Sequence, residues 1–234
     1  LKAFISLILF LSIASQSWPL YAGWFSWSEK KLAKEVLRID RDLNKKRWQK
    51  VIDRAQKVLP HCVEIHSERH QRCITMLRNI NLGYEKTRRF NPDAKQIKTA
   101  YELAVTELGS RHITTQMARD YYYKYLLFIE NYKKALPLVK EMIDAETAGA
   151  NDQFEILERV TQLYALHGLL EQWPEEQAAL ERLLTMTADL VGDDSEDYTK
   201  TAEALAVNYC IQKKYFEFFE LVNRLKLEAS CQLD

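Results

Sequence analysis

Cys62, His66, His70 and Cys73 are spaced by four, four and three residues. On one continuous helix that spacing draws a single stripe of ligating side chains. Histidine and cysteine are good ligands for zinc or copper, so a metal site is one reading. The spacing matches no established zinc motif, and a straight helix would spread the two cysteines over ~16 Å at 1.5 Å per residue. Pro60 stands just before them and marks a helix-to-helix joint, with Pro60 closing the first helix pair. In a joint, Cys62 and Cys73 flank a hairpin turn and come within reach of a disulfide. The even cysteine count of four suits that second reading in an exported chain. Free or differently paired thiols are a third. Cys210 and Cys231 are expected at opposite ends of the last hairpin, so a bond between them needs the tail to fold back.

Other chemistry is not encoded. The chain has no C-x-x-C-H for haem, no G-x-x-x-x-G-K-[ST], no G-x-S-x-G and no H-E-x-x-H. The acidic run Gly192-Asp193-Asp194-Ser195-Glu196-Asp197 lacks the alternating ligands of a calcium loop. It reads better as acids complementing a helix N-terminus. No nucleophile, base and orienting group fall together. The expectation is a protein that is not an enzyme and carries no cofactor.

The elements that position these residues show in the aromatics. Trp48, Phe90, Tyr132, Trp173 and Tyr215 recur at intervals of 42, 42, 41 and 42. A period in this range marks a stacked helical-repeat protein. Around each marker an apolar-periodic segment, a short polar link and a second periodic segment follow one another. After Tyr132 come Ala135, Val139 and Met142, which share a helix face. Phe90 is the irregular one, because Pro92 delays its second helix. Only six Gly and five Pro interrupt 234 residues, which favours helices over strands. Gly109, Gly149 and Gly192 stand between pairs, where a helix end wants positive φ. Asn151 or Asp152, and Asp194 or Ser195, offer N-caps for the next helix. The run Tyr121-Tyr122-Tyr123-Lys124-Tyr125 must point all round its helix, so most of it packs and one or two rings face outward.

Net charge is zero, so nothing demands nucleic acid as a partner. The balance is uneven, however. Residues 28–95 carry 18 Lys+Arg against 9 Asp+Glu, and residues 96–234 carry 14 against 24. Solvated helix faces account for this, and so would a dipole that orients a partner or favours head-to-tail association. Lys2 followed by the apolar run 3–14 reads as the start of a signal peptide spanning residues 1–22. Leu20-Tyr21-Ala22 before Gly23 offers a cleavage site, and Ser12-Ile13-Ala14 offers a second. The alternative is an uncleaved anchor, because residues 3–27 carry no charge and Trp18, Tyr21, Trp24, Phe25 and Trp27 would form an interfacial belt. Either way the expected location is periplasmic or otherwise extracytoplasmic, or membrane-anchored. An aromatic segment, 23–27, then leads into a repeat domain over 28–230.

The run Asn131-Tyr132-Lys133-Lys134-Ala135, with a large residue opening the second helix and a small one three later, resembles tetratricopeptide (TPR) repeats. The period matches the longer kind found in kinesin light chains. Tyr164 and Tyr209 resemble that family's first-helix aromatics. Glu176 departs from it, standing where an alanine-like residue belongs, and most units lack the first-helix glycine. The resemblance implies an all-α solenoid of about five antiparallel helix pairs, with a groove lined by the first helix of each. It places Arg78, Asp120, Lys124, Thr161, Glu203 and Val207 on that groove. It implies a protein-binding scaffold, here an accessory subunit of a cell-envelope assembly. The alternative is a metal-handling envelope protein that uses Cys62, His66, His70 and Cys73.

Overall fold

A computed structural model describes residues 27–149 and 152–231, so the signal or anchor segment lies outside the described residues. Ten α-helices form among the described residues. They are α1 (Glu29–Asn44), α2 (Trp48–His66), α3 (Gln71–Lys86), α4 (Ala94–Leu108), α5 (Ile113–Phe128), α6 (Tyr132–Ala148), α7 (Gln153–Leu169), α8 (Trp173–Leu190), α9 (Glu196–Ile211) and α10 (Tyr215–Leu225). Each packs against the next in chain order, and α3 also touches α5, so the chain is a solenoid of five hairpins. Four marker aromatics open a second helix. Phe90 does not, because α4 waits for the Asp93 cap, whose carboxylate accepts from the Gln96 N–H at 3.0 Å.

One turn is repeated inside all five pairs. The first helix ends with a residue in the left-handed region: Lys46 (φ 52), Arg88 (φ 56), Glu130 (φ 55), Glu171 (φ 56) and Lys213 (φ 59). The next N–H then reaches back five residues. Arg47 donates to the Asp42 carbonyl, Arg89 to Tyr84, Asn131 to Leu126, Gln172 to His167 and Lys214 to Tyr209, at 2.8–3.0 Å. This six-to-one bond satisfies carbonyls that the helix end leaves over. Gly is the usual occupant of such a position, and none of the five turns has one.

Joints between pairs are built differently. Ser67 (φ 105), Gly109 (φ 85) and Gly192 (φ 107) occupy equivalent places. Gly149 does not meet the expectation of positive φ. Its φ is −86° and ψ −4°, so it continues the helical conformation as the C-cap of α6. N-caps keep the period as well: Ser28, His70, His112 and Ser195 each accept a backbone N–H of the first turn, and so does Asp152.

The core runs down the stack. Val51, Ala55 and Val58 are buried on α2, Ala135, Val139 and Met142 on α6, Leu180 and Leu183 on α8, and Phe218 on α10. Tyr121, Tyr122 and Tyr123 are all buried, and Tyr125 is partly so, leaving Lys124 as the exposed member of that run. Pro60 does not close the first pair. It lies inside α2, which continues to His66 because Val58 and Cys62 on either side are buried against α3 and its neighbours. Cys62 and Cys73 form a disulfide across the α2–α3 joint, with Cα atoms 5.7 Å apart. Cys210 and Cys231 are also bonded, Cα to Cα 5.8 Å. Lys226 in the left-handed region turns the tail back, and Leu227 and Ala229 pack on the last pair.

Candidate functional site

All six groove residues expected from the sequence lie on first helices: Arg78 on α3, Asp120 and Lys124 on α5, Thr161 on α7, Glu203 and Val207 on α9. Clefts open between successive first helices on this side. One of about 600 Å³ is lined by Val36, Asp40, Thr75 and Asn79 together with His70 and Arg72. A second, about 320 Å³, lies between α5 and α7, and a third, about 290 Å³, between α7 and α9.

The structure links some of the six residues. Arg78 spans from α3 towards α5, its Nη1 donating to the Met117 sulfur at 3.4 Å, while Nε and Nη2 donate to Asn79 Oδ1. Burial lowers its pKa, with Asp40 on α1 pulling the other way. Lys124 donates to Asp120 at 2.6 Å and to Glu85 on α3 at 2.7 Å. Burial alone would lower the Lys124 pKa, but the two carboxylates raise it overall. Asp120 also faces Arg159 on α7 at 3.6 Å, and Arg159 donates to Glu146 on α6 at 3.1 Å. One string of charges, Glu85–Lys124–Asp120–Arg159–Glu146, therefore ties three pairs together. Thr161 is exposed and spends its hydroxyl on the Leu157 carbonyl. Val207 is 53% exposed, and Glu203 is partly exposed; no contact joins either to the charge string.

The middle cleft contains what the sequence reading missed. Arg119 is 2% exposed and lines it, together with Asp120, Glu146, Glu155, Glu158 and Arg159. Its Nη1 lies 3.9 Å from Glu141 Oε2, which accepts from the Tyr101 hydroxyl at 2.5 Å. Arg119 Nε and Nη1 have no hydrogen-bond partner, nor does Glu146 Oε2. Burial pushes the Arg119 pKa down and the Glu146 pKa up. Buried polar atoms without hydrogen bonds are costly, and here they belong to groups whose charges are nevertheless paired, Arg119 with Glu141 and Glu146 with Arg159. A partial sequence signal existed: Arg119 stands thirteen residues before its marker, where three of the other four pairs carry buried Leu77, Val160 and Ala202 and the first carries Glu35.

The alternative metal reading is corrected here. Both thiols of the Cys62/His66/His70/Cys73 stripe are spent on the disulfide. His66 and His70 stack at 4.1 Å, and His66 Nε2 pairs with Glu29 at 2.8 Å. Among the described residues no group of three or more His, Cys, Asp and Glu side chains could hold a metal ion. Nor is any described helix long and apolar enough to cross a membrane.

Known structures share this fold. This is a TPR-like solenoid. A kinesin-light-chain-like protein of Podosopora anserina, built from nearly identical TPR-like repeats, superposes with a TM-score of 0.55 at 13% identity, covering 84% of this chain and 93% of the other. BtubC (BKLC) from P. vanneervenii gives a TM-score of 0.52 at 12% identity over 88% of this chain and 87% of that one. No protein-family model and no curated protein matches the sequence. Within the TPR-like frame, Glu176 acquires a role: its carboxylate accepts from Asn208 on the next pair at 2.7 Å. It also lies where a side chain on Gly168 would go, so the glycine and the departure from an alanine-like residue belong together.

Proposed function

We propose that this chain is a non-enzymatic scaffold that holds a protein partner in the groove lined by α1, α3, α5, α7 and α9. The observation that carries the reading is the middle cleft. Buried Arg119 and part-buried Glu146 both line it, and each keeps side-chain atoms, a donor on the one and an acceptor on the other, without a hydrogen-bond partner. A peptide group, with one acceptor and one donor, complements that pair. Asp120, Lys124 and Arg159 on the rim supply charge selectivity. Further along, Arg78 serves the α3 end, and Thr161, Glu203 and Val207 serve the far end.

We place the scaffold outside the cytoplasm, as an accessory part of a cell-envelope assembly. The apolar run 3–14 behind Lys2 supports export. Two disulfides suit an oxidising compartment. The test is capture from the native membrane fraction with three variants. Asp120→Lys and Arg159→Glu should abolish recovery of the partner that the wild type retains, and Lys134→Glu on the second helix α6 should not. Retention by both groove variants, with loss in Lys134→Glu, would move the binding face to the second helices.

A further inference from the structure

Among the described residues no further helix covers either end of the solenoid, and its interior shows what each end is placed to meet. Pairs stack through fixed register positions. On a second helix, residues one, four and eight places after the marker face the following pair. Gln49 accepts from Arg89 at 2.8 Å, Ile52 lies against Gly83, and Gln56 donates to the Tyr84 hydroxyl at 3.3 Å. Further along, Gln177 accepts from Gln212 and Lys214, and Glu181 accepts from the Tyr209 hydroxyl. On α10 the same positions are Phe216, Phe219 and Asn223. Phe216 is 77% exposed and Phe219 46%, because the returning tail packs on the Leu205–Phe218 cluster and leaves them uncovered.

On a first helix, residues fourteen, eleven and seven places before the marker face the preceding pair. Arg159 donates to Glu146, the Tyr121 hydroxyl accepts from the Asn91 N–H at 2.9 Å, and Asn208 donates to the Trp173 carbonyl at 3.0 Å. On α1 these places hold Lys34, Leu37 and Arg41, with Arg38 between them. Leu37 is 65% exposed. A terminal repeat ordinarily presents a polar outer face. The α10 face is instead apolar and flanked by Glu217 and Glu220, while the α1 face is an exposed leucine set among Lys34, Arg41 and Arg38, the last paired with Glu35. The two ends thus each expose apolar side chains at stacking positions, rimmed by opposite charge, in line with the basic 28–95 and acidic 96–234 segments.

We propose that a second copy of this chain is the occupant: the Phe216/Phe219/Asn223 face of one copy stacks on the Lys34/Leu37/Arg38/Arg41 face of another. The solenoid then continues head-to-tail across chains. Such a contact is heterologous and does not close on itself, so it builds linear arrays rather than dimers.

Sedimentation of the full chain at low salt tests this. The weight-average mass should rise above the 27.5 kDa of one copy as concentration increases. It should fall again as salt is added, since the rim charges are screened. Leu37→Glu/Arg41→Glu blocks the head by charge mismatch, and Phe216→Ser/Phe219→Ser blocks the tail by removing its apolar anchors, so the two blocked ends have no attraction for each other. Each should weaken association at least about tenfold, with unchanged helical content and melting. An equal mixture of the two variants retains one good head and one good tail, and should stop at twice the mass of one copy. The proposal fails if the wild type stays at the mass of one copy, if either variant associates as the wild type does, or if the mixture remains monomeric. The first result would leave the ends to residues 1–26 or to an unrelated partner.

Discussion

Joints inside the helix pairs and joints between them solve the same problem, reversing the chain, by different means. Inside a pair the turn is local. A left-handed residue and a six-to-one hydrogen bond suffice, and Lys, Arg or Glu serve as well as one another. Between pairs the backbone at Ser67, Gly109 and Gly192 lies at larger φ, in a region that side chains tolerate poorly. Those joints also carry individual reinforcement. The α2–α3 joint has the buried Cys62–Cys73 bond, and α3 approaches α2 closely at Gly83. Turns inside pairs thus define the repeat, whereas joints between pairs set how repeats are stacked and held.

The largest expected effect breaks the reinforcement. Cys62→Ser/Cys73→Ser should cost about 3 kcal/mol from a closure of eleven residues, with a further loss because both cysteines are fully buried. Cys210→Ser/Cys231→Ser removes a closure of 21 residues, also worth about 3 kcal/mol, without that burial penalty. Urea unfolding without reductant should therefore rank the first pair as more damaging. The opposite ranking would mean that the tail, not the first inter-pair joint, secures the stack.

Gly83→Ala comes next. A Cβ there would meet Ile52 Cγ1 at 2.6 Å and the Trp48 carbonyl at 3.3 Å, so the two pairs must part, costing about 1–3 kcal/mol. Gly168→Ala meets only the flexible carboxylate of Glu176 and should cost less. Equal midpoints for the two variants would deny that inter-pair approach is the tighter constraint.

Backbone exchange separates the joints more finely. Ser67→Gly should raise stability by about 1 kcal/mol, because Ser67 has φ 105 and ψ 159. Glu130→Gly relieves only an ordinary left-handed residue and loosens the unfolded chain, so a shift within about 0.5 kcal/mol is expected. Thermal melts showing the same gain for both would erase the distinction between the two joints.

The smallest effect is in acid. Burial, then His66 and Arg72, lower the His70 pKa from its usual 6.5, while Glu29 on α1 opposes them. The folded state thus prefers neutral His70, whose Nδ1 accepts the Arg72 N–H as the α3 cap. Its contribution is complete above the unfolded value and is lost as pH falls through the lowered one. His70→Asn, which keeps a cap, should flatten that part of the stability profile. An unchanged profile would assign the acid loss elsewhere.

The sequence by itself determined the repeat. Five large aromatics at one period, with apolar residues at helical spacing and few breakers, leave helical hairpins as the arrangement that buries a continuous core. It also determined that the Cys62–Cys73 joint could close, because a turn brings its flanks together whatever lies beyond. What it left open depends on atoms far apart in the chain. Pro60 looks like a stop, yet buried neighbours carry α2 past it to His66. Cys231 meets Cys210 because Lys226 adopts the left-handed conformation and Leu227 finds the last core, which no local signal announces. Asp120 and Lys124 read as groove residues for a partner, but tertiary packing sets Glu85 and Arg159 beside them. Arg119 could be read only as an oddity at a core register. Its burial beside Glu141 and Glu146, and the unpaired atoms that result, were decided by how α5, α6 and α7 pack together, because desolvation and pairing are properties of surroundings rather than of residues.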